Sequence, residues 1–274
     1  MPPILNHTII ASGEPDRWML LLHGIYGSGK NWATFARQIV EECPNWGVIL
    51  PDMRLHGDSL GFEPPHTVAA AAADVAALLA HLQIRAEVMV GHSYGGKVVL
   101  AYARDHLSDT RQVWVVDSTL AVGEPGGDAW EVYEAVRSLP EEFPSRGALA
   151  EGLADFGHGK FLSSWLGMNL ERQGDVLRWK LDWEGVEEML RDYFTADVWE
   201  VVESPPEGVE VHVIRASRSS SLSDADAQRI SAAGERTGRT LLHPVEGGHW
   251  INVDNPDAVL SLMVSRLRAL DAGS

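Results

Sequence analysis

The stretch "EVMVGHSYGGKVVLAYARDHL", residues 87–107, joins a short apolar run to a helix-forming segment through a glycine-rich turn. "EVMV" reads as a strand ending at Val90, and the apolar spacing from about Tyr94 predicts a helix. Ser93 falls on the turn between them. Such a turn strains the backbone at its central residue, and Gly91, Gly95 and Gly96 make room for it. It also lifts the Ser93 hydroxyl clear of the sheet, near the positive end of the following helix. Ser93 is therefore a candidate nucleophile, with an idle serine in a glycine-rich turn as the competing reading. A G-x-S-x-G string decides little alone in a chain with 26 glycines, so the rest of the sequence must supply its partners.

Similar short apolar runs recur on both sides: "WMLLLHG" (18–24), "WGVILPD" (46–52), "QVWVVD" (112–117), "VEVHVIRA" (209–216) and "TLLHPV" (240–245). Continuous rather than alternating apolar character implies strands buried on both faces, hence a parallel sheet covered by helices. Helical spacing appears at 32–42, at 67–82 with Thr67 as N-cap, near 224–237 and after Pro256. The α/β pattern is interrupted between about 120 and 205. That segment carries five of the ten tryptophans, Trp130, Trp165, Trp179, Trp183 and Trp199, and reads as several helices with no convincing strand. The expected organisation is a core domain of residues 1–119 and 206–274 with a helical cap, 120–205, inserted into it. Most cap tryptophans are expected to pack the cap, and one or two to line an apolar cleft.

With 274 residues, 45% of them hydrophobic, the chain can bury a sizeable core. Its formal charge is −17, from 22 basic and 39 acidic residues. That field disfavours nucleic acid and anionic membrane surfaces, and counts against polyanionic substrates such as acyl-CoA in the absence of a local basic patch. The single cysteine, Cys43, excludes an intramolecular disulfide and suits a reducing compartment. "MPPILNHTII" lacks the basic and apolar pattern of a secretory signal, and no apolar run approaches a membrane span. A soluble, cytoplasmic protein with no membrane partner is the expectation.

A serine nucleophile needs a base. Of the eleven histidines, His7, His81, His106 and His158 have surface-like contexts. His212 sits within a strand pattern, and His92 is expected to point away from the turn. His249, in "VEGGHWINVDNP", lies between the last strand and the last helix, where a loop at the carboxyl edge of the sheet reaches back over the elbow. Attack on a carbonyl creates an oxyanion that needs two fixed donors. The backbone N–H groups of Tyr94 and of Ile25, in "LLHGIYGSGKNW", are the candidates, with His23 bracing that loop. A phosphate-loop reading of the same segment fails at Asn31, where Ser or Thr should follow Lys30. No cofactor and no metal is required.

The elements "LLHG", "PDMRLHGDS", "GHSYGG" and "GGHWINVDNPDAV", in that order, resemble the α/β-hydrolase fold family over nearly the whole chain. The resemblance implies an eight-stranded, mostly parallel sheet, a helical cap after the sixth strand, and a triad in the order Ser, acid, His. In most of that family the acid follows the strand after the cap. Here that place holds Ser219, with Asp224 and Asp226 arriving late, so the alternative family position, the strand end before the cap, points to Asp117. A turn-capping role for Asp117 is the competing reading. "HGIYGS", an acid before the cap, and "FLSSWLGMNLERQGDVLRWKLDWEGV" are similar to a subgroup of small bacterial esterases, the YbfF-type hydrolases. Ile25 for the usual Leu, and "ASRSSSLS" for G-G-N-S-x-Y, depart from the subgroup pattern. The resemblance implies hydrolysis of short- to medium-chain acyl esters or thioesters through an acyl-enzyme on Ser93. Lactonase, carbon–carbon hydrolase, cofactor-free perhydrolase and small-molecule receptor roles use the same framework.

Overall fold

A computed structural model describes residues 3–106 and 109–273; Leu107, at the end of the stretch quoted first, lies outside them. In chain order the strands are β1 (His7–Ile10), β2 (Arg17–Leu22), β3 (Trp46–Pro51), β4 (Val88–His92), β5 (Gln112–Val116), β6 (Glu142–Phe143), β7 (Leu170–Gln173), β8 (Val176–Trp179), β9 (Glu210–Ala216) and β10 (Thr240–Val245). The helices are α1 (Ala33–Glu42), α2 (Val68–Leu82), α3 (Tyr94–Asp105), α4 (Gly127–Arg137), α5 (Arg146–Ala154), α6 (Lys160–Gly167), α7 (Trp183–Thr195), α8 (Trp199–Glu203), α9 (Asp224–Thr237), α10 (Ile251–Asp254) and α11 (Pro256–Ala272).

The main sheet runs β1-β3-β2-β4-β5-β9-β10, antiparallel at β1 and parallel elsewhere. Its apolar strands are explained by burial on two sides. Met19, Leu21, Val48 and Val90 pack with Phe35 and Ile39 of α1 and Met263 of α11. Leu20, Leu22, Ile49 and Met89 pack on the opposite face with Val75 of α2 and Val99 of α3. Thr67 caps α2 as expected, its hydroxyl accepting from the Ala70 N–H at 3.1 Å.

The sheet has seven strands among the described residues, not the expected eight. Among the described residues no strand pairs with the outer edge of β1. A second correction concerns residues 120–205, where a three-stranded sheet, β6-β8-β7, lies among the helices. β7 and β8 form a tight hairpin, with Gly174 at a φ of 62° in the turn. Leu149, Leu153, Leu166, Val186 and Leu190 of this segment share one apolar cluster with the α2–α3 side of the sheet.

Lys97 of α3 ties the start of this segment to the end of α7. Its buried Nζ donates to the carbonyls of Ala121 (3.1 Å), Tyr193 (2.7 Å) and Ala196 (2.9 Å). Among the described residues no helix is long and apolar enough to cross a membrane. No group of three or more His, Cys, Asp or Glu side chains there could hold a metal ion.

Candidate active site

β4 ends at His92 and α3 begins at Tyr94, so Ser93 occupies the turn alone. Its φ of 52° and ψ of −119° lie outside the ordinary regions for a side-chain-bearing residue, a strain held by surrounding bonds. The Ser93 N–H donates to the Val116 carbonyl at 3.0 Å, and its carbonyl accepts from Gly96 at 2.8 Å. A Cβ on Gly91 would overlap the Gly95 backbone, and one on Gly95 would lie 2.7 Å from the His23 carbonyl. Glycine at these positions lets α3 start directly against the ends of β2 and β4.

Asp117 follows the last residue of β5, fully buried, with a φ of 43°. Its Oδ2 lies 2.8 Å from His249 Nδ1, and its Oδ1 accepts from the Ala216 N–H at 3.0 Å. Ser219 Oγ donates to the same Oδ2 at 2.5 Å. Ser221 Oγ sits 3.1 Å from His249 Nδ1 and 3.0 Å from Ser219 Oγ, whose single proton is already given to the carboxylate. Burial pushes the Asp117 pKa up, but the contacts with His249, Ser219 and Ala216 outweigh it and hold the carboxyl below its usual range. Asp224 instead pairs with Arg215 at 2.7 Å, and Asp226 bonds Ser223 at the start of α9.

His249 lies on the loop between β10 and α10. Gly247, at a φ of 154°, allows Ile251 to close against it. His92 does not point away, as its sequence position suggested. Its Nε2–H donates to the His249 carbonyl at 2.8 Å, and the two rings lie 4.7 Å apart. Burial, reinforced by neighbouring His249, lowers the His92 pKa to about 3, so it is a neutral brace for this loop.

The loop after β2 is braced in the same manner. The Met53 N–H donates to His23 Nε2 at 2.9 Å, and the Tyr26 N–H to His56 Nε2 at 3.0 Å. Both imidazoles must be neutral to accept. Burial lowers their pKa values, to about 3 for His23 and about 4 for His56. With the Gly27 N–H turned to the Gly24 carbonyl at 3.1 Å, Ile25 is the residue of this turn whose N–H none of these bonds takes up. Tyr94, first in α3, has no intrahelical acceptor for its N–H. His56 belongs to "PDMRLHGDS" and its role was not read from the sequence; a buried histidine 30 residues from its partner leaves no local signal.

Ser93, Ile25 and His249 line one cavity of about 210 Å³. No hydrogen bond joins Ser93 Oγ to His249 here; such contacts are often long before substrate binds. Trp165 and Trp250 form part of the wall, while Trp179 and Trp183 pack edge to face with ring centres 5.1 Å apart. Tyr193 of α7 also reaches the site, where its hydroxyl meets Ser118 Oγ at 3.2 Å and the Thr119 N–H at 3.3 Å. Burial drives its pKa up to about 12, although Ser118, Thr119 and Ser93 pull it back. The contacts of Tyr193, Ser219 and Ser221 at this site were not read from the sequence, where Ser219 stood only as the place of a missing acid. Cys43 is buried, its thiol pKa raised chiefly by that burial, and lies outside the site.

A family model described as "Alpha/beta hydrolase family" matches residues 19–262. The chain is 25% identical to the sn-1-specific diacylglycerol lipase ABHD11 of Danio rerio, over 97% of this chain and 83% of that one. It is 28% identical to Esterase YbfF of Escherichia coli, over 88% of this chain and 89% of that one. Among solved structures, a marine microorganism esterase superposes with a TM-score of 0.81 at 21% identity, covering 96% of this chain and 98% of that one, a likeness of fold.

Proposed function

Because this chain belongs to the alpha/beta hydrolase family and is a hydrolase with esterase- and lipase-like relatives, we propose that it is a serine carboxylesterase. The reading rests on one observation above all: Ser93, strained at the strand–helix turn, shares a cavity with a histidine whose other ring nitrogen is held by a buried carboxylate. Asp117 keeps the His249 Nδ1–H tautomer, leaving Nε2 free to take the Ser93 proton. Ser93 Oγ then attacks the acyl carbon, and the Ile25 and Tyr94 N–H groups hold the resulting oxyanion. His249 returns the proton to the departing alkoxide or thiolate. Water, deprotonated by the same imidazole, cleaves the acyl-serine and restores the hydroxyl.

Residues 120–205 act as the cap and supply Trp165 and Tyr193 to the cavity, while 1–119 and 206–274 carry the three reacting side chains. The apolar wall suits short- to medium-chain acyl groups. The test is turnover of p-nitrophenyl acyl esters together with labelling by a fluorophosphonate. Ser93→Ala should abolish both while leaving the circular dichroism spectrum intact. Undiminished hydrolysis by that variant would remove Ser93 from the reaction, and one equivalent of product without turnover would favour a receptor role.

A further inference from the structure

We propose that this site selects esters by charge, taking acyl groups that are neutral or cationic and rejecting anionic ones, with Asp128 as a specificity-determining residue. The inference rests on the esterase reading and names its substrate class. Asp128, in the first turn of α4, is the one carboxylate among the described residues that line the cavity, and no Lys or Arg lines it. The cation nearest Ser93 in sequence, Lys97, is withdrawn from any substrate: its three N–H donors are spent on the carbonyls of Ala121, Tyr193 and Ala196. Lys160 is exposed at the start of α6 and is not part of the wall.

The remaining features have the same sign. Asp117 sits behind His249 as a buried carboxylate. Trp165 and Trp250, ring centres 6.0 Å apart, both line the cavity, and an aromatic ring attracts a cation at its face where it repels an anion. The whole chain carries a formal charge of −17, which draws cations toward a cleft and holds anions off. A carboxylate on the acyl chain, or the phosphates of a coenzyme A thioester, would enter this field with no counter-charge to meet. The local basic patch that an acyl-CoA needs is absent from the wall.

The experiment compares kcat/KM for three p-nitrophenyl esters of similar acyl length: butyrate, hemisuccinate and 4-(trimethylammonio)butyrate. At low salt the unmodified protein should favour the cationic over the anionic ester by about tenfold or more. Asp128→Asn should lower that ratio several-fold, and Asp128→Lys should bring it near or below one. Because Asp128 is exposed, added salt should compress the ratio. The ratio is insensitive to partial loss of folded protein, so it reads charge selection even in a weakened variant. A ratio near one in the unmodified protein, or one unchanged in Asp128→Lys, overturns the inference. If butyrate is cleaved through Ser93 while charge makes no difference, the charge inference alone falls. If none of the three esters is cleaved, the esterase reading falls and takes this inference with it.

Discussion

Ser219 Oγ donates to Asp117 Oδ2 at 2.5 Å, across 102 residues of chain. β5 and β9 are neighbours, with Val116 in register with Ile214, so the residues just beyond the two strands meet at one sheet edge. Position 219, where the resemblance leads one to look for the acid, contributes a hydroxyl to a carboxylate supplied by the adjacent strand. Asp117 and Ser219 thus divide between them a place that one residue often fills.

That division ranks three substitutions. Asp117→Asn should lower kcat/KM by roughly 10³- to 10⁴-fold, because an amide cannot hold the required tautomer or stabilise the imidazolium. Ser219→Ala removes one hydrogen bond to a charged acceptor and should cost on the order of tenfold. Asp224→Asn, which touches Arg215 rather than His249, should stay within about twofold. Steady-state kinetics on a neutral ester checks the order; a larger loss for Asp224→Asn than for Asp117→Asn would move the acid beyond β9.

Gly91→Ala should prevent folding altogether. The added methyl would be driven into the Gly95 backbone at the start of α3, where no side-chain rotation relieves the overlap. Soluble expression and near-ultraviolet circular dichroism report the result, and a native-like spectrum would show that α3 moves away from β4 more freely than its packing implies.

Lys97→Met is expected to destabilise the chain by about 3 kcal/mol. The methionine fills similar space but leaves the Ala121, Tyr193 and Ala196 carbonyls without their donor. The urea midpoint at constant slope measures the loss. An unchanged midpoint would mean that water replaces the ammonium at no cost, and that the fastening of residues 120–205 lies elsewhere.

Acid should weaken the fold well above the ordinary carboxylate range. His23, His56 and His92 have native pKa values of about 3, 4 and 3, against 6.5 when exposed. The unfolded chain therefore binds protons that the native chain refuses. Stability is intact above pH 6.5 and falls as pH drops toward 4, with roughly 2 kcal/mol lost per histidine at pH 5. The lowered Asp117 pKa adds a loss of the same sign below about 3.8. A Tm that is flat between pH 7 and 4.5 would contradict the burial of these rings. His56→Gln, whose amide oxygen can still accept from the Tyr26 N–H, should flatten part of the slope.

Much of the framework was legible without coordinates. β10 and α9 occupy the stretches anticipated for them, and Thr67 caps α2. What escaped notice was short or non-local. β1 has four residues, too few for a period to show, and β6 has two. The β7–β8 hairpin offered one signal, the Gly174-Asp175 pair between two short runs, and helical spacing on either side obscured it.

The division between the two sources follows the range of the forces involved. Local chain chemistry determined the α/β framework, the turn that presents Ser93 and the loop that carries His249, because apolar periodicity and glycine's freedom act between residues close along the chain. The resemblance pointed to Asp117 before any contact with His249 was seen; tertiary structure alone decided that Ser219 joins them, that His56 braces the Tyr26 loop and that Lys97 is spent on three carbonyls. Those contacts depend on which strands lie side by side and in what register, and that is set by packing the whole sheet at once.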